Sequence, residues 1–174
     1  MSTPVTMRLM HRHRSLCDAI VVGANTACID NPALTTRYWP GRSPLRVVLS
    51  HNLSLLDNLK LLTDGLPTIV FNGVKNEVCG AVEYVRMDTT NPQSWLEDLY
   101  RRGVTSVMVE GGTGVLQHML AAGMWDEARV EVSPRRVGQG VAAPAIEGRV
   151  TTRYLIDGNE ITYFEPMQNG APVR

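Results

Sequence analysis

The sequence has no excess of either charge and few cysteines, and each shortage excludes a class of protein. Lys plus Arg and Asp plus Glu both total 17 in 174 residues, so overall charge does not favour binding to nucleic acid or to an anionic membrane surface. The three cysteines lie far apart and form no C-x-x-C pair, which indicates neither a structural zinc site nor a disulfide framework. A reducing, cytoplasmic environment fits this composition best.

Long apolar runs are also absent. No stretch reaches the length of a membrane span, and the N-terminal residues have no apolar core of signal-peptide length. We therefore expect a soluble protein. A chain of this size with 44% hydrophobic residues suits one domain, so we expect a single domain over residues 1–174 with a flexible tail from about residue 166.

Two common cofactor and metal signatures are missing. The glycines at 111–114 do not complete the G-x-G-x-x-G fingerprint of dinucleotide-binding folds. The paired H-x-E and P-C-x-x-C motifs of zinc deaminases do not occur. His11 and His13 are two residues apart, a spacing that points their side chains to different faces of a helix, so we predict no metal site.

Helix and strand patterns alternate along most of the chain. Thr3 followed by Pro4 predicts a capped helix over residues 4–16. The polar side of this helix is formed by Arg8, His11, Arg12 and Arg14. Two further amphipathic helices end at Gly103 and Gly123, and a shorter segment after Gly23 suggests one helical turn and a loop.

Apolar runs of strand length separate these helices, at residues 18–23, 45–50, 68–72, 82–87, 105–110 and 127–134. Near the C-terminus, two β patterns flank Asp157-Gly158-Asn159, which predicts an antiparallel hairpin. Strands that alternate with helices, followed by a hairpin, predict a three-layer α/β/α fold. Its sheet is mostly parallel and has antiparallel strands at one edge.

The stretch VMVEGGTG, residues 107–114, joins a predicted strand to a helix through three glycines. Glycines at such a turn let the main chain approach a ligand, and the N–H groups at the helix start form a site for phosphate. The alternative is a tight turn that binds nothing. Glu110 before the glycines either accepts hydrogen bonds from a heterocycle or is an ordinary solvated residue.

A polar loop, GANTACIDNPALTTR at residues 23–37, follows another predicted strand. Loops in this position often carry functional residues. Asp30-Asn31-Pro32 also fits a simple turn initiator. Arg14 and Arg37 either clamp a phosphate through paired N–H donors or lie on the surface without a specific role.

Four stretches together resemble the reductase domain of the bifunctional riboflavin biosynthesis deaminase/reductase family, which has a dihydrofolate-reductase-like fold. They are DAIVVGANTACIDNPALTTR, PLRVVLS, VMVEGGTGVLQHMLAAGMWDEARVEVSP and DGNEITYFE. The resemblance implies reduction of 5-amino-6-(5-phosphoribosylamino)uracil to the ribitylamino product with NADPH, in riboflavin biosynthesis. It also implies a cytoplasmic homodimer without deaminase activity.

The resemblance further implies roles for individual residues. Substrate-binding roles fall on Arg14, Leu34, Arg37 and Glu110, with both arginines at the substrate phosphate. Cofactor-binding roles fall on Thr26, Asp30, Ser50, Gly111, Gly112, Thr113 and Gly114. Asp30 also has a catalytic role, near the reacting sugar. If the cofactor is NADPH, Arg42 and Arg46 are candidates for its 2′-phosphate.

Three departures from the family pattern accompany this resemblance. Asn31 replaces the second Asp of the family's D-D-P, and Ser50 stands where Asp commonly follows L-R-V-V-L. The family's first central strand, with S-L-D-G and a nearby lysine, has no counterpart, and the only lysines are Lys60 and Lys75. We therefore expect a fragment, a mis-started reading frame, or a truncated relative that closes the gap through a partner.

Two other functions stay open. One is a reductase of the same fold that acts on another pterin or pyrimidine substrate. The other is a truncated, catalytically silent module for nucleotide binding or dimerisation, which would bind NADPH without turnover.

Overall fold

The computed structural model describes residues 2–135, 138 and 140–167. In chain order the elements are α1 Pro4–Leu16, β1 Ala19–Gly23, α2 Ala24–Asp30, β2 Leu45–Leu49, α3 Lys60–Thr63, β3 Thr68–Asn72, β4 Glu77–Cys79, β5 Val82–Arg86, α4 Pro92–Arg101, β6 Val107–Gly111, α5 Thr113–Ala121, β7 Ala128–Val132, β8 Gly148–Ile156 and β9 Asn159–Pro166. The predicted long helices and strands are all found. The short α3 and β4 have no counterpart in the prediction, and α2 is longer than the single turn expected.

The strands form two sheets. The larger has the order β4-β5-β3-β2-β1-β6 and is parallel except for β4. The smaller has the order β7-β9-β8 and is antiparallel throughout. A mostly parallel α/β architecture with a C-terminal antiparallel hairpin is confirmed. The prediction joined the antiparallel strands to one edge of a single sheet, whereas in the described residues β7, β8 and β9 form a sheet of their own.

Helices cover both faces of the larger sheet. Successive side chains of β1 point to opposite faces. Val21 belongs to an apolar cluster with Trp95 of α4, while Val22 belongs to a second cluster with Ala27 of α2. All five residues of β1 are buried, as expected for a parallel strand covered on both sides. The three layers place the carboxyl ends of β1, β2 and β6 at one edge of the sheet.

The first helix starts with a capping box. The Thr3 hydroxyl accepts a hydrogen bond from the Thr6 N–H at 3.2 Å, and the Thr6 hydroxyl accepts one from the Thr3 N–H at 2.8 Å. The predicted bounds of α1 are confirmed. Its polar side does not face only solvent, however, because His11 is 3% exposed and the Arg14 side chain 11% exposed. These two side chains contact polar groups of β6 and of the loop after α2.

Backbone conformation explains two of the predicted boundaries. Gly103 follows α4 with a φ of 84°, the left-handed conformation that ends many helices. Asp157 and Gly158 have φ values of 50° and 82° and form the two-residue turn between β8 and β9. Positive φ at both turn positions is typical of tight hairpins, so the predicted hairpin is confirmed.

Part of the predicted loose segments lies outside the described residues. Pro166, the start of the predicted tail, ends β9, and residues 168–174 are not described. Residues 136, 137 and 139 are likewise outside the described part. The single domain stays a prediction. Among the described residues, no helix is both long and apolar enough to cross a membrane.

Candidate active site

A cleft of about 290 Å³ opens at the carboxyl edge of the larger sheet. Its walls come from the ends of β1 and β2, the start of α5 and the loop before α4. A larger but shallow depression of about 470 Å³ lies along α4, beside the 72% exposed Tyr100. None of the predicted site residues lines that depression. The cleft is therefore the candidate site, in the place where α/β sheets usually bind ligands.

Two of the three glycines in the turn after β6 have structural reasons of their own. A Cβ on Gly111 would lie 3.2 Å from Thr26 Cγ2, and one on Gly112 would lie 3.3 Å from Thr26 Oγ1. Gly112 also has a φ of 85°, which disfavours any side chain. A Cβ on Gly114, in contrast, would meet no atom within 4 Å. Gly114 lines the cleft, so only this glycine keeps open space for a ligand.

The start of α5 provides hydrogen-bond donors beside Gly114. Its N-cap is Gly112, and no side chain caps the helix. The first intrahelical bond runs from the Leu116 N–H to the Gly112 carbonyl oxygen at 3.1 Å. The N–H groups of Thr113, Gly114 and Val115 precede that bond, and such groups with the helix dipole attract an anion. The residues predicted to hold cofactor phosphates thus lie together at this helix start.

Ser50 follows β2 directly and lines the same cleft. It is 2% exposed, and its hydroxyl oxygen has no hydrogen-bond partner among the described residues. A buried polar group without a partner costs about 1–3 kcal/mol. The hydroxyl would gain a partner if a ligand with polar groups filled the cleft. Cofactor binding by Ser50 stays a prediction that this geometry supports.

Glu110 and Arg14 contact each other. Arg14 Nε lies 2.6 Å from Glu110 Oε1 and Arg14 Nη2 lies 2.5 Å from Glu110 Oε2, a bidentate pair with side chains 11% and 13% exposed. Arg14 Nη1 also donates to the Thr35 carbonyl oxygen at 3.0 Å. The separate roles predicted for Arg14 at phosphate and Glu110 at the pyrimidine stay predictions. The structure adds that the two side chains contact each other directly.

A β-bulge aims Glu110 at this position. Val21 of β1 is opposite Val109, but Val22 is opposite Gly111, so Glu110 is the extra residue of β6. A bulge turns a side chain away from its regular alternation and is common beside active sites. The residue pattern of β6 gives no sign of it.

The loop after α2 is held by α1. The Arg37 N–H donates to His11 Nδ1 at 2.9 Å, which requires this nitrogen to be unprotonated. Burial lowers the pKa of His11, and the nearby positive charges of Arg14 and Arg37 lower it further. The Arg37 guanidinium lies 5.6 Å from the centre of the Tyr38 ring and joins no ion pair among the described residues. Of the two predicted phosphate-binding arginines, Arg37 is thus the one without a carboxylate partner.

Leu34 and α2 complete the predicted set. Leu34 is 1% exposed within the apolar core, so a substrate would reach its backbone rather than its side chain. Its φ of 53° is rare for a residue other than glycine and is typical of functional segments. Thr26 and Asp30 are four residues apart on α2 and share a helix face. Thr26 contacts the glycine turn, and Asp30 is exposed one helical turn later.

The arginines suggested for a 2′-phosphate are occupied elsewhere. Arg46 is 1% exposed near the amino end of β2, and its Nη1 and Nη2 donate to Asp64 at 2.6 and 2.7 Å. Arg42 pairs with Asp18. Neither lines the cleft, so this suggestion is wrong. Both lie near the amino ends of the strands, because the loop from Asn31 reaches β2 from that side.

Sequence reasoning missed several residues of the cleft. Of the predicted site residues, Ser50, Gly112 and Gly114 line the cleft and the others do not. The cleft is also lined by His51, Thr89, Thr90, Trp95 and His118. Since His51 directly follows Ser50 at a strand end, the rule that ligands bind at carboxyl ends could have found it. Thr89 and Thr90 precede α4 and line the cleft because that helix packs against the sheet, a contact that their local sequence does not indicate.

Comparison with known proteins gives consistent results. A family model described as RibD C-terminal domain matches residues 1–160. The chain is 33% identical over 155 residues to the 2,5-diamino-6-ribosylamino-4(3H)-pyrimidinone 5′-phosphate reductase of Methanothermobacter thermautotrophicus, with 82% of this chain and 71% of that protein covered. A protein of the same name from Aquifex aeolicus is 32% identical, with 81% and 67% covered.

A solved structure is similar over most of the fold. The diaminohydroxyphosphoribosylaminopyrimidine deaminase/5-amino-6-(5-phosphoribosylamino)uracil reductase of Thermotoga maritima superimposes with a TM-score of 0.84 at 26% sequence identity. The match covers 95% of this chain and 50% of that one. The chain therefore spans about half the length of that protein.

The bond between His11 and Arg37 predicts a pH dependence of stability. Because the folded state lowers the pKa of His11 below 6.5, the unfolded state binds more protons as the pH falls below that value, and stability is lost. His11→Asn keeps an acceptor but does not titrate. We expect the free energy of unfolding to fall less steeply between pH 7 and about pH 5 in this variant. Urea unfolding measures it, and equal slopes would contradict the role of His11.

Proposed function

We propose, because the chain belongs to the RibD C-terminal domain family, that it reduces 5-amino-6-(5-phosphoribosylamino)uracil with NADPH in riboflavin biosynthesis. Reductases of this family require a nicotinamide cofactor. The observation that carries the proposal is an uncapped helix start that follows Glu110 by three residues in the chain. The uncapped start of α5 lies beside the open space at Gly114, and the bulge directs Glu110 toward Arg14 and the loop of Arg37.

The residues of the cleft fit a dinucleotide. The first N–H groups of α5 would hold its phosphates, the Ser50 hydroxyl would gain a partner, and Gly114 leaves room for close approach. When bound, NADPH supplies a hydride from its nicotinamide ring. Thr26 would lie against the cofactor, because it contacts the glycine turn from the side of α2.

The substrate residues bind and orient the reacting sugar. We assign the substrate phosphate to Arg37, whose guanidinium has no carboxylate partner, and the pyrimidine to Glu110 with Arg14 beside it. We assign Asp30 to the ribosyl group, because it lies one turn of α2 beyond Thr26. The reaction would add the hydride to the ribosyl C1 and break the bond from that carbon to the ring oxygen, which then takes up a proton from solvent. Orientation of the two reactants is the main contribution of the protein.

The names of two relatives point to a second candidate substrate. The proteins of Methanothermobacter and Aquifex are named for the 2,5-diamino-pyrimidinone, which carries an amino group where the uracil carries an oxygen. The ribosylamino phosphate is common to both compounds, so Arg37 and Asp30 would serve either. The two compounds differ in a substituent of the pyrimidine ring, which is the part that the Glu110 carboxylate would contact by accepting hydrogen bonds.

Turnover of the two compounds tests the function directly. We expect the chain to oxidise NADPH only when substrate is present, with a larger kcat/KM for the uracil compound, and product analysis should show the ribityl group. A larger kcat/KM for the diamino compound would move the assignment to the second substrate. Binding of NADPH without turnover of either compound would identify a silent binding module instead.

The glycine turn gives a second prediction, with a matched pair of variants. Gly114→Ala places a methyl group in open space, so stability should be kept, while NADPH affinity should fall about tenfold as the methyl blocks a phosphate. Gly112→Ala forces a side chain into the left-handed region and should destabilise the fold by about 1–2 kcal/mol. Urea unfolding and NADPH titration measure both effects. Unchanged affinity in the Gly114 variant would refute a phosphate site there.

Arg37 gives a third prediction. A charge-assisted hydrogen bond contributes about 1.5–3 kcal/mol, so Arg37→Ala should raise the substrate KM by about 10- to 100-fold. The KM for NADPH should stay the same. Arg12, which also lies over an aromatic ring, Trp39, provides the control Arg12→Ala. Equal losses for substrate and cofactor, or equal effects of the two variants, would refute the assignment of Arg37.

A further inference from the structure

His11 is a buried histidine that none of the cofactor or substrate assignments above uses. It is 3% exposed and does not line the cleft, so it has no direct access to a ligand there. A buried polar side chain is normally retained with hydrogen-bond partners. His11 has its hydrogen-bond and ring contacts in the loop between α2 and β2. Its place in the fold is therefore at the contact between α1 and that loop.

Two contacts connect His11 to both ends of Arg37. The backbone N–H of Arg37 donates to His11 Nδ1 at 2.9 Å. The Tyr38 ring meets the imidazole edge to face, with 4.8 Å between the ring centres, and the Arg37 guanidinium lies 5.6 Å from the centre of the Tyr38 ring. Ring pairs and cations near aromatic rings in these arrangements attract each other. His11 thus holds the backbone of Arg37 directly and its guanidinium through Tyr38.

The charges around His11 favour a neutral imidazole. Arg14 of α1 and Arg37 of the loop bring positive charge to it, and Glu110 of β6 brings negative charge. Burial lowers the pKa of His11 most and the two arginines lower it further, while Glu110 and a backbone hydrogen bond with Thr35 oppose this only in part. A proton on Nδ1 would remove the acceptor for the Arg37 N–H and add a third positive charge.

We propose that His11 is a positioning residue that sets where the Arg37 guanidinium lies and thereby the affinity for the substrate phosphate. This inference rests on the proposed function, in which Arg37 binds that phosphate. His11 itself contacts neither substrate nor cofactor. Protonation of His11 releases the Arg37 backbone, so substrate binding weakens as the pH falls below about 6.5, the ordinary pKa of histidine.

Kinetics of two variants at this position test the inference. His11→Ala should raise the substrate KM about two- to tenfold near neutral pH, the factor expected for one hydrogen bond, and leave kcat and the KM for NADPH unchanged. His11→Asn keeps an acceptor and should recover most of that loss. Thermal unfolding of each variant verifies that the fold is retained.

The pH dependence of the substrate KM separates positioning from a purely structural role. Between about pH 7.5 and 5, the KM of the wild type should rise more steeply than that of His11→Asn, which does not titrate. The substrate phosphate itself titrates near pH 6, but equally with both proteins. His13→Asn is the matched control on the same helix. Because His13 contacts Tyr163 of β9 instead of the loop, this variant should keep the pH dependence of the wild type.

Amide hydrogen exchange of residues 31–44 tests the contact without substrate. Exchange should be faster in His11→Ala than in the wild type and in His13→Asn. Unchanged exchange, an unchanged substrate KM in His11→Ala, or identical pH profiles of the wild type and His11→Asn would each overturn the inference. Absence of turnover by the wild-type chain would refute the proposed function instead, and the exchange rates alone would then decide whether His11 holds the loop.

Discussion

The bidentate pair between Glu110 and Arg14 holds together three elements next to the glycine turn. Each charge is nearly buried, and removal of one partner from a buried pair costs about 3–5 kcal/mol, because the other charge is left without compensation. The bulge in β6 brings Glu110 to this position, and the last turn of α1 brings Arg14. Since Arg14 also binds the Thr35 carbonyl oxygen, the pair joins a strand, a helix and a loop.

The loop between α2 and β2 depends on this pair and on His11. Arg14 holds the carbonyl of Thr35, and His11 holds the N–H of Arg37 two residues later. Leu34, just before these contacts, is buried in a left-handed conformation. Core packing on one side and polar contacts on the other thus fix the backbone that presents Arg37. The phosphate binding proposed for Arg37 would cost less conformational entropy on a loop fixed in this way.

Most of the fold could be predicted from the sequence, because its signals are local. The Thr3-Pro4 start of α1, the glycine after α4 and the Asp157-Gly158 turn each act within a few residues. The roles of the site residues stay predictions, and their geometry could not be predicted from the sequence. The bulge at Glu110, its pair with Arg14 and the burial of His11 arise from contacts far apart in the chain. The separate three-stranded sheet also depends on pairing between distant strands, which local patterns do not specify.

The smaller sheet contacts α1, the helix that carries Arg14. His13, the neighbour of Arg14, has its Nε2 3.2 Å from the Tyr163 hydroxyl of β9. Burial raises the pKa of Tyr163 to about 12, and burial with the charge of Arg129 lowers the pKa of His13. Both side chains are therefore neutral near pH 7, so the contact between them joins two uncharged groups. The last turn of α1 is thus held on one side by a neutral contact to β9 and on the other by the ion pair to β6, so the position of Arg14 depends on both sheets.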